Sequence, residues 1–458
     1  VTKIIITTLL SGFISLTASV FAAEEQEPLP PQTLIKNVFV WDGLSDGVTK
    51  AIDVLIEGNK VKKLRAKDGD AHKEAIVING DGRVLMPGLI DMHTHTGLKR
   101  GVPDTETLWD GQAVGAMAHE TMMDYINMGY TTLRDICAGS LGVARATAAG
   151  VLSGPRLYSG GPCIGASSGH SDWGPVTNTK HQQSNHERIG NVVIADGPQA
   201  VADAARYNFR GGATVLKVFV GGGVASQYDP LEAITYTKEE IAAAVEIAND
   251  FKSYVCIHAY NSEAVDRALD AGVRCVEHAF LVNEKTIKRM KRDGIVLSAQ
   301  AFMSYVAFED PAGIPGFTQE SIRKGLQVHK GADQMFKWAA KHELEIFAGS
   351  DMFTYDLIPM ATQNLVTLER WFSPVQVLKM ATSTAGKWLM KTGPKNPWKE
   401  AQLGTLVEGS YADVILVNGN PLNGVEVLAD YDKNIPFVMK DGKIYKNQIH
   451  DIKKGSPL

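Results

Sequence analysis

Residues 87–95 read Pro-Gly-Leu-Ile-Asp-Met-His-Thr-His, a turn pair, a short apolar run and two histidines one residue apart. Alternate residues of a strand point to one face, so His93 and His95 would project together from the strand's C-terminal end. Two imidazoles placed in this way can share one metal ion, although H-x-H taken alone is a weak signal. Its meaning depends on what the rest of the chain brings beside it.

Downstream, strand-like runs alternate with amphipathic helical stretches, the pattern of a parallel α/β fold. Eight candidate strands cover 84–95, 131–137, 156–160, 214–220, 254–259, 275–279, 295–299 and 345–349, with helical runs such as 238–251, 262–271, 284–293 and 322–342 between them. Eight βα repeats fit a closed (β/α)8 TIM barrel, whose sites gather at the strand C-termini. A doubly wound open sheet lacks support, because no Gly-rich phosphate loop follows any of these strands. The flanks read differently. Short β-runs at 34–41, 51–57, 60–64 and 75–79 are separated by Asp42-Gly43, Asp46-Gly47, Glu57-Gly58 and Asp81-Gly82, and runs at 413–417, 436–439 and 443–445 repeat this style near the C-terminus. The two ends are therefore expected to form one small β-sandwich domain, from 23–87 and 396–458, with the barrel at 88–395 inserted between them.

The candidate strands end in chemistry. Lys217 lies inside Thr214-Val-Leu-Lys-Val-Phe-Val220, before Gly221-Gly222-Gly223. A charged, unpaired lysine there is costly. An outward-snorkelling stem is the ordinary reading. The functional one is a neutral amine that has captured carbon dioxide as a carbamate able to bridge two cations. His258 and His278 each close a short apolar run, and Asp351 completes Glu345-Ile-Phe-Ala-Gly-Ser-Asp at the eighth strand. In a closed barrel strand eight lies beside strand one, so Asp351 would approach His93 and His95. A carboxylate there can bind metal and relay a proton. Four histidines, a lysine and an aspartate in strand order 1, 1, 4, 5, 6, 8 set this group apart from chance. His119, His181, His186, His329 and His342 fall in predicted helices or an exposed loop and receive no catalytic role.

Composition narrows the class. The 458 residues carry a net charge of -5, with no long basic run, which argues against a nucleic-acid partner. Residues 1–22 have the layout of a secretory signal: Lys3, an apolar stretch to about Phe21, and small residues before Glu24-Glu25. That predicts a secreted or periplasmic protein with no membrane attachment after cleavage. The four cysteines, at 137, 163, 256 and 275, are too few for a disulfide framework, and Cys256 and Cys275 read as small buried hydrophobes.

On Pro-Gly-Leu-Ile-Asp-Met-His-Thr-His, Leu-Lys-Val, the two strand-end histidines, Gly-Ser-Asp and Leu403-Gly-Thr-Leu-Val-Glu-Gly-Ser-Tyr-Ala-Asp-Val-Ile-Leu, the chain resembles the amidohydrolase superfamily over nearly its whole length. It looks closest to the imidazolonepropionase-like and Xaa-Pro dipeptidase-like (prolidase) branch, which includes dipeptide-cleaving carboxypeptidases and ochratoxin amidohydrolases. The resemblance implies two divalent ions, zinc by the chemistry of the ligands. His93, His95 and Asp351 would hold one, His258 and His278 the other, and N6-carboxylysine at Lys217 would bridge them. A metal-bridging hydroxide would attack an amide carbonyl, and Asp351 would pass the proton to the leaving nitrogen. The loop Gly165-Ala-Ser-Ser-Gly-His-Ser-Asp-Trp173 makes His170 a substrate-binding candidate, and Tyr228 is a second, as a donor to the carbonyl or to a substrate carboxylate. Trp173, Phe302, Tyr305 and Phe353 are candidates to line an apolar pocket. The expected partner is a small amide, a dipeptide or N-acyl amino acid losing its C-terminal residue, and the expected assembly a homo-oligomer. A cyclic amidohydrolase opening an imidazolone or hydantoin ring is the alternative, and a noncatalytic scaffold the reading from another class. Export favours the first, and the complete ligand set disfavours the last.

Overall fold

In the computed structural model, residues 30–67, 69–314 and 316–449 are described, together with the backbone of a strand at Ile452–Lys454. The leader expected at 1–22 lies outside the described residues.

Five strands open the chain: β1 (Gln32–Val40), β2 (Ile52–Glu57), β3 (Lys60–Leu64), β4 (Ile76–Asn79) and β5 (Val84–Pro87). Ten follow: β6 (Leu89–Thr94), β7 (Tyr130–Asp135), β8 (Arg156–Ser159), β9 (Cys163–Gly165), β10 (Val192–Ile194), β11 (Leu216–Phe219), β12 (Val255–Asn261), β13 (Cys275–Leu281), β14 (Val296–Ala299) and β15 (Ile346–Ala348). Four close the chain: β16 (Val414–Val417), β17 (Phe437–Lys440), β18 (Lys443–Asn447) and β19 (Ile452–Lys454). The first five and the last four share one nine-stranded sheet, ordered β18-β17-β16-β5-β1-β2-β3 with β4 on β1 and β19 on β4. Both chain ends thus build one layer, over a core that includes Ile35, Val54, Leu85, Val414 and Phe437.

The expected strand at 84–95 is two strands in different sheets. β5 ends at Pro87, which has no N–H to continue a ladder, and Gly88 donates to Asp413 O (2.9 Å) before β6 starts. The expected strand at 156–160 is likewise continued by a separate piece, β9, beyond Gly160-Gly161-Pro162, where Gly161 takes a positive φ of 69°. The middle strands are parallel, in the orders β10-β9-β11-β12-β13-β14-β15 and β6-β7-β8. Backbone bonds cross both gaps between these sheets. Ser159 O at the end of β8 accepts from Thr214 N (2.8 Å), and Asp351 N donates to His93 O (2.8 Å).

These strands are buried on both faces, and helices cover them, several begun by a side chain that satisfies free backbone N–H groups. Thr237 and Glu240 form a capping box at Lys238–Asp250, while Asn261 and Asn283 cap Ser262–Asp270 and Glu284–Arg292. Buried Arg156 on β8 ties this layer to the end sheet through Asp413 (3.0 Å) and Asp441 (2.8 Å).

The reading of the cysteines is corrected. Cys137 pairs with Cys163, and Cys256 with Cys275, as disulfides. Cys256 and Cys275 stand directly opposite each other on adjacent parallel strands, a juxtaposition created by the β12–β13 register that linear spacing does not reveal.

Candidate metal centre

His93 and His95 sit at and just past the end of β6, facing the turn that follows β15. That turn is Gly349-Ser350-Asp351, and it needs the glycine. A Cβ at Gly349 would lie 2.6 Å from the Cβ of His93 and 2.8 Å from Ser298 Oγ. Buried Asp91 staples the two segments, its Oδ1 accepting from the N–H of His93 (3.0 Å) and of Ser350 (3.0 Å). Burial pushes the Asp91 carboxyl up to about 6.

Three lone-pair atoms converge here. Nε2 of His93 and Nε2 of His95 are 3.2 Å apart, and Asp351 Oδ1 lies 2.9 Å from the second and 3.4 Å from the first. The His93 tautomer follows from its other nitrogen. Nδ1 is 2.8 Å from Glu277 Oε2, a carboxylate that can only accept, so Nδ1 carries the proton and Nε2 is left bare. Glu277 is held in turn by Arg134 Nη2 (2.6 Å), with both side chains fully buried. Gln300 Nε2 lies 3.2 Å from the same His93 nitrogen. Donation of a ligand histidine's second N–H to a carboxylate is the usual arrangement around protein-bound metal.

His258 and His278 end up on the same side of the cavity, their rings 4.5 Å apart, with His278 5.1 Å from His93. His258 donates Nε2–H to Gly222 O (3.1 Å), which leaves Nδ1 bare. His278 Nδ1 is buried without a hydrogen-bond partner, 4.0 Å from Asp351 Oδ2. Donor atoms of His93, His278 and Asp351 all lie within 4.8 Å of one another. A second such group, Cys256, Cys275 and Glu277, offers no thiolates because its cysteines are bonded to each other. His278 (φ 73°) and Asp351 (φ 60°) both occupy the left-handed region, which costs a non-glycine residue about 1–3 kcal/mol and concentrates at functional sites.

Lys217 Nζ is fully buried beside this group and has no hydrogen-bond partner. Burial drives its pKa down to about 8, against the opposing pull of Glu277 and Asp351. Burial likewise keeps His93, His258 and His278 neutral, well below the usual imidazole value. Asp351 moves the other way. Burial favours its acid, but His93, His95 and Lys217 outweigh that and hold it below the ordinary carboxylate value. Neutral imidazoles and an ionised carboxylate are donors that suit a divalent cation.

His170 stacks on His258 at 4.1 Å between ring centres and reaches the same cavity. Tyr228 does not. It lines an adjoining outer cavity, and its hydroxyl donates to Gly174 O (2.9 Å). Trp173 and Phe353 line both cavities, as expected of pocket residues. Phe302 and Tyr305 line neither. They lie on or beside the turn 302–306, where Tyr305 packs on His329 and Trp371, and Met303, Phe308 and Phe317 form the wall instead. His186, given no catalytic role, is buried against Trp173 with Nε2 bonded to Val102 O (2.9 Å).

Sequence reasoning passed over Asp91, Arg134, Glu277 and Gln300. The signal for Glu277 was weak because strict alternation would send it and His278 to opposite faces. The positive φ values at His278 and Ala279 break that alternation.

Residues 84–445 match the model of the amidohydrolase family. Ochratoxinase from Aspergillus niger is 30% identical over 377 residues, covering 79% of this chain and 76% of that protein. A prolidase solved in complex with N-methylphosphonate-L-proline superposes with a TM-score of 0.83 at 26% identity, over 91% of this chain and 100% of its own. A Xaa-Pro dipeptidase with methionine in its active site gives 0.78 at 25% identity, with coverages of 91% and 100%. The chain belongs to the amidohydrolase family.

Proposed function

We propose that the chain is a binuclear metal-dependent hydrolase that cleaves the amide bond of a dipeptide or N-acyl amino acid and releases the C-terminal amino acid. The observation that carries this reading is the convergence of His93 Nε2, His95 Nε2 and Asp351 Oδ1 beside the unpartnered, buried Nζ of Lys217. Ochratoxinase, prolidase and Xaa-Pro dipeptidase among its relatives support the substrate class.

His93, His95 and Asp351 would hold one ion and His258 and His278 the other, with Lys217 as a carbamate between them. A pKa near 8 supports the carbamate, since it supplies the neutral amine that carbon dioxide requires. Two divalent ions, when bound, supply a water of lowered pKa and a Lewis-acid contact to the scissile carbonyl. Asp351, held ionised, takes the proton of the attacking water and delivers it to the leaving nitrogen. His170 faces the reacting group from the His258 side. The apolar walls Val102, Trp173, Phe317 and Phe353 continue from the site into the outer cavity of about 290 Å³, giving a bulky group on the amide a dry place to lie.

We read the two parallel sheets as one (β/α)8 barrel, supported by the bonds across both seams and by the family match. The chain-end sheet of β1–β5 and β16–β19 is its companion layer. Two disulfides support export to an oxidising compartment. Among the described residues no helix is long and apolar enough to cross a membrane. Ninhydrin detection of amino-acid release from a library of dipeptides and N-acyl amino acids tests the reaction. Chelator-sensitive release supports it, whereas turnover confined to cyclic amides overturns it.

A further inference from the structure

Behind the site lies a buried cation that no step above uses. Lys324, inside the long helix Gln319–Lys341, is 1% exposed. Its ammonium has three donors, and all three are used on one loop. Nζ donates to Gly223 O (3.0 Å), Ser226 O (3.0 Å) and Asp229 O (2.7 Å), with Asp229 Oδ1 at 4.0 Å. That loop leaves β11, the strand carrying Lys217.

Its inner side is shaped to one ring. Asp229 Oδ2 accepts from Gly223 N (2.7 Å) and lies 3.5 Å from His170 Nδ1. Ser226 Oγ lies 2.6 Å from His170 Nδ1 and donates to Gly223 O (3.3 Å). Gly223 is glycine because a Cβ there would stand 2.0 Å from His170 Nδ1. The neighbouring Gly222, whose carbonyl orients His258, donates its own N–H to Ala233 O (3.2 Å), and that carbonyl shares a peptide unit with the Gly223 N–H bound to Asp229 Oδ2.

We propose that Lys324 is a positioning residue: by gathering the carbonyls of Gly223, Ser226 and Asp229 it holds the loop that fixes the His170 ring over the site. It touches neither metal ligand nor substrate. Because the bonds of Gly222 N to Ala233 O and of Gly223 N to Asp229 Oδ2 do not pass through Lys324, loss of Lys324 is expected to disturb His170 more than His258. The part of the proposal that concerns turnover rests on the amide-hydrolase reading, and the part that concerns loop structure does not.

The test combines hydrogen exchange, read by mass spectrometry on peptides spanning Gly223–Asp229, with metal content and kcat/KM on the best amide of the library. Lys324→Met is expected to speed exchange in that loop at least tenfold, to leave bound metal at the wild-type level, and to lower kcat/KM at least tenfold. In a His170→Ala background the same change is expected to lower kcat/KM less than twofold. Gly223→Ala keeps Lys324 and serves if the methionine variant does not fold. It is expected to speed loop exchange and slow turnover, and Gly223→Ala/His170→Ala, with the clash removed, to regain wild-type exchange. Unchanged loop exchange in Lys324→Met overturns the proposal, as does a rate loss equally large with and without His170. A wild type that turns over no amide sinks the proposed reaction, while the exchange measurements still decide whether Lys324 pins the loop.

Discussion

Replacing Arg134 with Met removes the guanidinium that bonds Glu277 where both side chains are fully buried. The guanidinium lies 2.6 Å from Glu277 Oε1, and Oε2 of the same carboxylate receives the His93 proton at 2.8 Å. Breaking one side of a buried ion pair costs roughly 3–5 kcal/mol, because the abandoned charge stays buried. Arg134→Met is therefore expected to lose about that much stability in urea denaturation of the metal-free protein. Arg134→Met/Glu277→Leu removes both charges and is expected to be more stable than Arg134→Met alone, still short of the wild type by about 1–3 kcal/mol for each of Met92 O and the His93 Nδ1–H that lose a partner. Metal affinity should not return with it. His93 then loses the carboxylate that accepts its Nδ1 proton, and loss of such a partner lowers affinity roughly 10–100-fold. Competition against a chromophoric zinc chelator reads that directly. A double variant that binds zinc as tightly as the wild type would refute the claim that Glu277 sets the His93 tautomer. An Arg134→Met protein as stable as the wild type would refute the energetic argument.

Three other changes address separate parts of the account. Lys217→Ala should stay folded and soluble yet lose most turnover and much of the metal, measured by elemental analysis; full turnover with two ions would show that Lys217 does not bridge them. Gly349→Ala drives a Cβ into His93 and Ser298, so roughly 1–3 kcal/mol of stability should be lost, with a matching fall in metal occupancy; a wild-type denaturation midpoint would contradict the contact. Arg156→Met strands Asp413 and Asp441 between the layers and should cost roughly 3–5 kcal/mol while metal content per folded chain stays unchanged, since Arg156 lies far in sequence and bonding from every ligand.

How much of this was legible beforehand depends on whether a feature is local. Strand positions were, because fully buried parallel strands appear as short apolar runs between capped helices. The candidate site residues were conspicuous, as histidines closing such runs and a lysine inside one. The split at Pro87 was present in the sequence and was overridden by the continuous apolar pattern through residue 95. The disulfides, the Arg134–Glu277–His93 chain and the Lys324 clamp depend on register and on side chains meeting across the fold. Cys256 and Cys275 look like ordinary core residues until β12 and β13 are paired. Lys324 looks like an exposed helix charge until the loop after β11 is folded back on it. Tyr228 shows the converse, a plausible donor by position whose hydroxyl is already bonded to Gly174.

The central claim is that six side chains form a two-metal centre, and elemental analysis of gently purified protein tests it most directly. The account predicts roughly two divalent ions per chain, removed together with amide turnover by a chelator and restored together by zinc. Protein that turns over amides with no metal bound, or with unchanged rate after complete metal removal, would contradict it.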